Sequence, residues 1–417
     1  MIDLDGIRRG LFSHAPGLRE APRRTAVAMV LQLALSGLVA PGCGRGAPPP
    51  FEPREPRDVL MLVVDTLRAD DLSCYGGPTR TAAICSLARR GTRFERAYAG
   101  SSWTLPSAVA MLTGNHPSEY ARAEDAARGV PLFRVPDEKR LLTEVLAEWG
   151  FELTAFVENE LATVSNAFQG FTIHAFAPDS ADPPDADELR RAKALGIPLR
   201  DPRYRMLVPA LEHVDRADGP RRFTVIWLFD PHLLYEPPQG FAVEPSAEGL
   251  PHPARWYRRL GSKANAERGI LGIKDEGRKL TPPEVAHLRG LYRAELQSVD
   301  ERVGWILEAL DRSGRVDDTL VIFTSDHGEG FGEHQRFDHG NSYYDEVVRV
   351  PWILAGPGIR EGLVVEEPVS HLDLVPTLSE LLGVKDLHAD LRGTSRVALL
   401  QGGATGGGSH YIVKSTW

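Results

Sequence analysis

Three stretches of the chain are continuously apolar: VLMLVVD (residues 59–65), FTVIWLFD (residues 223–230) and TLVIFTSD (residues 319–326). A fourth, FELTAFVEN (residues 151–159), is similar but less apolar. A strand with one wet face would alternate, so unbroken runs predict parallel strands buried on both faces. Between them, residues 137–149 and 282–310 place apolar side chains three and four apart, the period of a helix. Strands alternating with helices predict an α/β fold with a mostly parallel central sheet flanked by helices on both faces. Residues 177–218, rich in Pro, Asp and Arg, and residues 235–276 interrupt this alternation. They read as long surface insertions, either shaping a substrate cleft or varying freely at the surface.

The pattern differs near the start. Arg19, Arg23 and Arg24 precede an apolar run at residues 26–40, then small residues and Cys43. That is the order of an export signal, and the run is short for a membrane span of ~20 residues. LVAPGC (residues 38–43) resembles a degenerate bacterial lipoprotein box with Cys43 as the lipidated residue; an uncleaved N-terminal anchor is the alternative. GRGAPPPFEPREP (residues 44–56) reads as an extended spacer holding a domain off a surface. The expected organisation is a signal at 1–43, a linker at 44–57, a main domain at 58–385 and a C-terminal remainder at 386–417. The expected location is exported, periplasmic or cell-surface, tethered to a membrane through the N-terminus.

Composition narrows the function. The 417 residues are 42% hydrophobic and 25% charged, ordinary for a globular protein. A net charge of −9 and the lack of any long basic run argue against a nucleic-acid partner. The three cysteines form no zinc-type CxxC pair. Cys74 and Cys85 are either a disulfide or two buried thiols, and the thiols are the favoured reading.

Three of the apolar runs end in aspartate: Asp65, Asp230 and Asp326. In open α/β sheets ligands bind beyond the carboxyl ends of the strands. One strand-end Asp is most often a helix cap. Three together, with His327 directly after Asp326, form a sound set of O and N ligands for a divalent cation. Thr104 precedes Leu105, Pro106 and an apolar helical stretch closed by Gly114, so it falls at a helix N-terminus. There free N–H groups and the helix dipole favour an anion. A simple N-cap is the plainer role for an isolated Thr at that place.

These residues carry a family resemblance. DVLMLVVDTLRADDLSCYG (residues 58–76), SSWTLPSAVAMLTGNHP (residues 101–117) and TLVIFTSDHGEGFGEHQRFDHGNSYYDEVVRVPWIL (residues 319–354) resemble, in order and spacing, the motifs of sulfatases in the alkaline phosphatase superfamily. The resemblance implies that Asp65, Asp326 and His327 bind one divalent metal ion (Zn, Mn or Ca). It implies that Thr104 occupies the nucleophile position and touches the metal, and that His339 contacts the transferred group. DPHLLYEPP (residues 230–238) resembles a motif whose His assists the leaving group, here His232. A His ligand leans toward Zn²⁺ or Mn²⁺ over Ca²⁺. Arg68 reads as structural, and His116 and His334 as surface or supporting residues.

Two departures matter. Sulfatases carry a Cys or Ser that is converted to an aldehyde; a secondary alcohol oxidises only to a ketone, so Thr104 is barred from that route. The Arg expected two residues after the Pro is Ala108. Threonine nucleophiles resemble those of the superfamily's phosphodiesterases and phosphoethanolamine or glycerol-phosphate transferases. The expected function is therefore metal-dependent hydrolysis, or transfer, of sulfate or phosphate esters, with phosphoryl chemistry slightly favoured. The expected substrate is a small-molecule, glycan or lipid ester. The alternative is a non-catalytic relative binding an anionic ligand. Relatives continue into a C-terminal antiparallel sheet, of which residues 386–417 read as an incomplete version.

Overall fold

The computed structural model describes residues 54–125, 130–176, 183–199, 201–245, 280–385 and 391–404. The export signal, Cys43 and residues 405–417 of the expected C-terminal remainder lie outside the described residues.

The four apolar runs become strands at the middle of one nine-stranded sheet. In chain order its strands are β1 (Asp58–Val64), β2 (Gly91–Tyr98), β3 (Glu152–Val157), β4 (Thr172–Ala175), β5 (Arg222–Leu228), β6 (Thr319–Ser325), β7 (Arg349–Ala355), β8 (Leu363–Val365) and β9 (Val369–Ser370). They lie in the order β8-β2-β7-β6-β1-β5-β3-β4, with β9 also paired to β2. Every pairing is parallel except those of β7, which runs against both β6 and β2.

Seven helices matter for the packing: α1 (Ala82–Arg90), α2 (Thr104–Thr113), α3 (Leu142–Glu148), α4 (Ala186–Leu195), α5 (Leu207–Val214), α6 (Pro282–Arg312) and α7 (Leu374–Leu381). Side chains alternate across a strand, and β1 shows why its run is unbroken. Val59, Met61 and Val63 enter a core with α2, α3 and α7. Leu60, Leu62 and Val64 enter a second core, on the other face, with α1, α5 and α6. The sheet is thus covered on both sides, as the pattern predicts.

Register sets up the site. Val64 aligns with Leu228 on one side and Ser325 on the other, and Trp227 aligns with Val157. The residues just past these positions therefore emerge along one edge: Asp65, Asn159, Asp230, Asp326 and His327.

Three expectations change. Residues 177–218 are not merely surface: within them α5 buries Leu207, Val208, Leu211 and Val214 in the second core, while α4 keeps mostly polar residues outward. The helix expected from residue 137 starts at Leu142, because Lys139 N–H closes a turn on the Pro136 carbonyl just before it. Cys74 and Cys85 are a disulfide rather than two thiols; the turn at residues 73–75 lies against α1, bringing their Cα atoms to 5.4 Å, within bonding range. Among the described residues no helix is long and apolar enough to cross a membrane.

Candidate metal and nucleophile site

Thr104 is the first residue of α2, after Trp103 in extended conformation at the cap. Pro106 sits in the first turn, where a missing N–H costs nothing. Gly114 ends the helix at φ +67°, a left-handed conformation that favours glycine. Thr104 is 2% exposed. Its hydroxyl does not cap the helix; Oγ1 lies 3.4 Å from His327 Nε2 and accepts a hydrogen bond from Asn159 Nδ2 at 3.4 Å.

Asp65, Asp326 and His327 are fully buried, with ligand atoms within 4.8 Å of one another. His327 Nδ1 lies 2.9 Å from the Gly328 carbonyl oxygen, which only accepts, so Nδ1 carries the proton and Nε2 a lone pair. That lone pair stands 3.7 Å from Asp65 Oδ1 and 3.4 Å from Asp326 Oδ2. Both carboxylate oxygens are buried without a hydrogen-bond donor. The remaining carboxylate oxygens are occupied: Thr66 and His327 N–H groups donate to Asp326 Oδ1, and Asn159 Nδ2 donates to Asp65 Oδ2.

Three acceptors converging in a buried site repel one another unless a cation sits among them. The residues therefore fit a divalent ion, with a nitrogen and carboxylate oxygens as donors. The metal-free chain shows the same imbalance in its acidities. Burial, with Asp326 adding repulsion, pushes Asp65 up to about 6. Burial pushes Asp326 up to about 7 and His327 down to about 3.

His232 and His339 join this cluster. The His339 ring centroid is 4.4 Å from that of His327 and 5.0 Å from that of His232. His232 Nδ1 donates to the Leu233 carbonyl at 2.7 Å, and the ring stacks on Phe229 with centroids 4.4 Å apart. This leaves Nε2 as the available nitrogen. His339 Nδ1 faces Asp338 Oδ1 at 3.0 Å and Glu329 at 3.4 Å. Burial alone would disfavour its cation, but these carboxylates outweigh burial and hold it well above the usual imidazole range.

Asp230 does not reach the cluster. Its carboxylate is held by Arg302 at 2.9 Å and Arg203 at 3.2 Å. Arg68 is structural as expected, bridging Asp70, Glu333 and the Glu329 carbonyl. His334, half-exposed, stacks on Tyr344 and meets Glu346 at 2.9 Å. Ala108, one turn after Thr104, is enclosed in the first core.

Asn159 is the site residue absent from the sequence reading. Its Oδ1 accepts from Leu161 N–H at 3.0 Å, which orients the amide so that Nδ2 points at Asp65 and Thr104. Its signal in the sequence is its place, since Asn159 closes the fourth apolar run as Asp65, Asp230 and Asp326 close the other three. We expect Asn159→Ala to lower kcat by roughly 10- to 100-fold through a misplaced Thr104 hydroxyl. Metal content per chain should be retained. Steady-state kinetics beside elemental analysis checks this, and an unchanged kcat would remove Asn159 from the site.

The chain is similar to known proteins of one family. The family model described as Sulfatase matches residues 57–384. A choline-sulfatase from Rhizobium meliloti (strain 1021) is 34% identical over 398 residues, covering 83% of this chain and 72% of that protein. A Delta 4,5-hexuronate-2-O-sulfatase from Bacteroides thetaiotaomicron is 25% identical, covering 90% and 77%. Among solved structures, the phosphonate monoester hydrolase of Agrobacterium radiobacter superposes with a TM-score of 0.64 at 22% identity, covering 85% of this chain and 78% of that one. With a match running through every strand that frames the buried Asp-Asp-His cluster, the chain belongs to the sulfatase family and is a hydrolase of the alkaline phosphatase superfamily.

Proposed function

We propose that the protein cleaves phosphate or sulfate esters, by hydrolysis or transfer, with Thr104 as nucleophile and phosphoryl chemistry favoured. The observation that carries this reading is the Thr104 hydroxyl, buried at a helix N-terminus, 3.4 Å from the lone pair of His327 Nε2. Asp65, Asp326 and His327, with Thr104, would hold the divalent ion. When bound, such an ion acidifies a coordinated hydroxyl and neutralises charge on the ester oxygens.

The protein's own groups supply the rest. Thr104 Oγ1, its hydroxyl proton released to solvent, forms a bond to phosphorus as the ester P–O bond breaks, and the departing oxygen takes a proton from Nε2 of the His232 imidazolium, which keeps its Nδ1 proton on the Leu233 carbonyl. His339, kept cationic by Asp338 and Glu329, faces the non-bridging oxygens. The amide end of α2 favours the same negative charge. Water then cleaves the phospho-threonine, or an acceptor alcohol takes the group. A threonine side chain has no aldehyde to offer, which is why phosphorus is preferred over the sulfatase route.

The names of the two curated relatives support a small-molecule or glycan ester as substrate; a lipid ester is a further form. The acidic net charge supports no nucleic-acid partner. We also propose export, with a lipid or peptide tether near Cys43 and residues 44–57 as spacer. The Cys74–Cys85 disulfide supports an oxidising compartment.

The test is an ester panel of aryl phosphate mono- and diesters and aryl sulfate, run with Mn²⁺, Zn²⁺ or Ca²⁺. We expect phosphorus esters to be turned over faster than sulfate, and an acid-quenched sample to contain phosphate on the peptide bearing Thr104. Turnover of sulfate alone would overturn the phosphoryl preference. No turnover by metal-loaded protein would overturn the reading as a whole.

A further inference from the structure

Beneath the site lies a group of buried charges that touches no ligand of the proposed metal. Arg302, on α6, is fully buried. Its Nη1 donates to Glu158 Oε1 at 3.1 Å and Oε2 at 3.2 Å, and its Nη2 donates to Asp230 Oδ2 at 2.9 Å. Arg203 donates to Asp230 Oδ1 at 3.2 Å. Glu295, about two turns before Arg302 on the same face of α6, is also fully buried.

These charges grip one short loop. Phe229 N–H donates to Glu158 Oε2 at 2.8 Å, and Asp230 is held by both arginines. Glu236 N–H donates to Glu295 Oε1 at 2.6 Å, and the Glu236 carbonyl accepts from Arg203 Nη2 at 2.7 Å. Thr66, next to Asp65, donates to the Pro231 carbonyl at 3.0 Å. His232 lies in the middle of this span, its ring stacked on Phe229.

Buried ion pairs of this kind cost desolvation that packed apolar side chains would avoid, so fold stability alone is a poor reason for them. Proton donation to a leaving oxygen, in contrast, is lost with a displacement of about 1 Å. We infer that Arg302, with Arg203, is a positioning residue. Through Glu158 and Asp230 it fixes the loop at residues 229–236 so that His232 Nε2 stands where the leaving group departs. The inference rests on the proposed role of His232.

The experiment uses the metal-loaded full chain and a series of aryl esters, of the class that the panel finds active, running from strongly to weakly acidic phenols. Arg302→Lys keeps the charge but loses the planar fork that spans two carboxylates. The best leaving groups need no proton, so their kcat/KM should be nearly unchanged. For the worst, we expect a loss of roughly tenfold or more, in kcat rather than KM. His232→Ala should show the same slope more steeply, and adding Arg302→Lys to it should change nothing further. Arg203→Lys, nearer the surface, gives the same test if the buried variant fails to fold.

An equal loss for all esters, or a loss that multiplies with that of His232→Ala, would overturn the positioning role. If His232→Ala itself shows no slope, it is the reading of His232 as proton donor that fails, whatever the arginines do.

Discussion

Thr104→Ala is expected to reduce ester turnover by roughly 10³-fold or more, the scale on which loss of a nucleophile acts elsewhere. Bound metal should stay nearly unchanged, because the other proposed ligands, Asp65, Asp326 and His327, remain. The expectation follows from burial and direction together. Thr104 is packed at the start of α2, so alanine fits the same space, and the helix with its Gly114 stop is undisturbed. Only the oxygen facing His327 Nε2 and Asn159 Nδ2 is removed. Thr104→Ser keeps that oxygen and should retain much of the activity. Kinetics beside elemental analysis decides the matter. A Thr104→Ala protein that turns over at full rate would show that another group attacks the ester.

The second large effect is a pH-dependent cost of removing the metal. In the metal-free chain Asp65 titrates at about 6 and Asp326 at about 7, both raised first by burial. An unfolded aspartate titrates near 3.9. Groups whose folded pKa is raised favour the fold while protonated, and that contribution is lost as pH climbs through the folded pKa. Metal-free protein should therefore lose stability between about pH 4 and pH 7, by about 3 kcal/mol for Asp65 and about 4 kcal/mol for Asp326 at most. A cation bound among these carboxylates would replace the protons and remove the penalty.

Stripping the metal with a chelator should accordingly lower Tm far more at pH 8 than at pH 5, and metal binding near pH 6 should release protons. Asp326→Asn should abolish tight metal binding. At pH 8 it should nevertheless melt higher than metal-free wild type. Equal chelator effects at both pH values would show that the two aspartates do not share a cation.

Much of the fold was legible because its cause is local. β1, β5 and β6 lie at the middle of the sheet, buried on both faces, and only an unbroken apolar run satisfies both cores. Asp65 and Asp326 were legible for a related reason: each follows such a run, at the edge where the register delivers all strand ends together. Thr104 was marked by the Pro and Gly that start and stop α2.

Other features were not legible, because their partners are distant. Asp230 ends a run as Asp65 does, yet it meets Arg302, 72 residues away on a helix. The apolar stripe of α5 was hidden among Pro and Arg in a segment that reads as a loop. The cysteine pair needed a turn and a helix brought together before a bond was possible.

The amino-acid sequence by itself determined the parallel α/β sheet, the helix bearing Thr104 and the strand-end acids, since each is written in the period or punctuation of one short stretch. Only the tertiary structure decided which of those acids share a buried site and which are neutralised by arginine, and that Asn159 aims its amide at the Thr104 hydroxyl. Such choices depend on register between strands and on side chains far apart in the chain, where burial without a partner is too costly to persist.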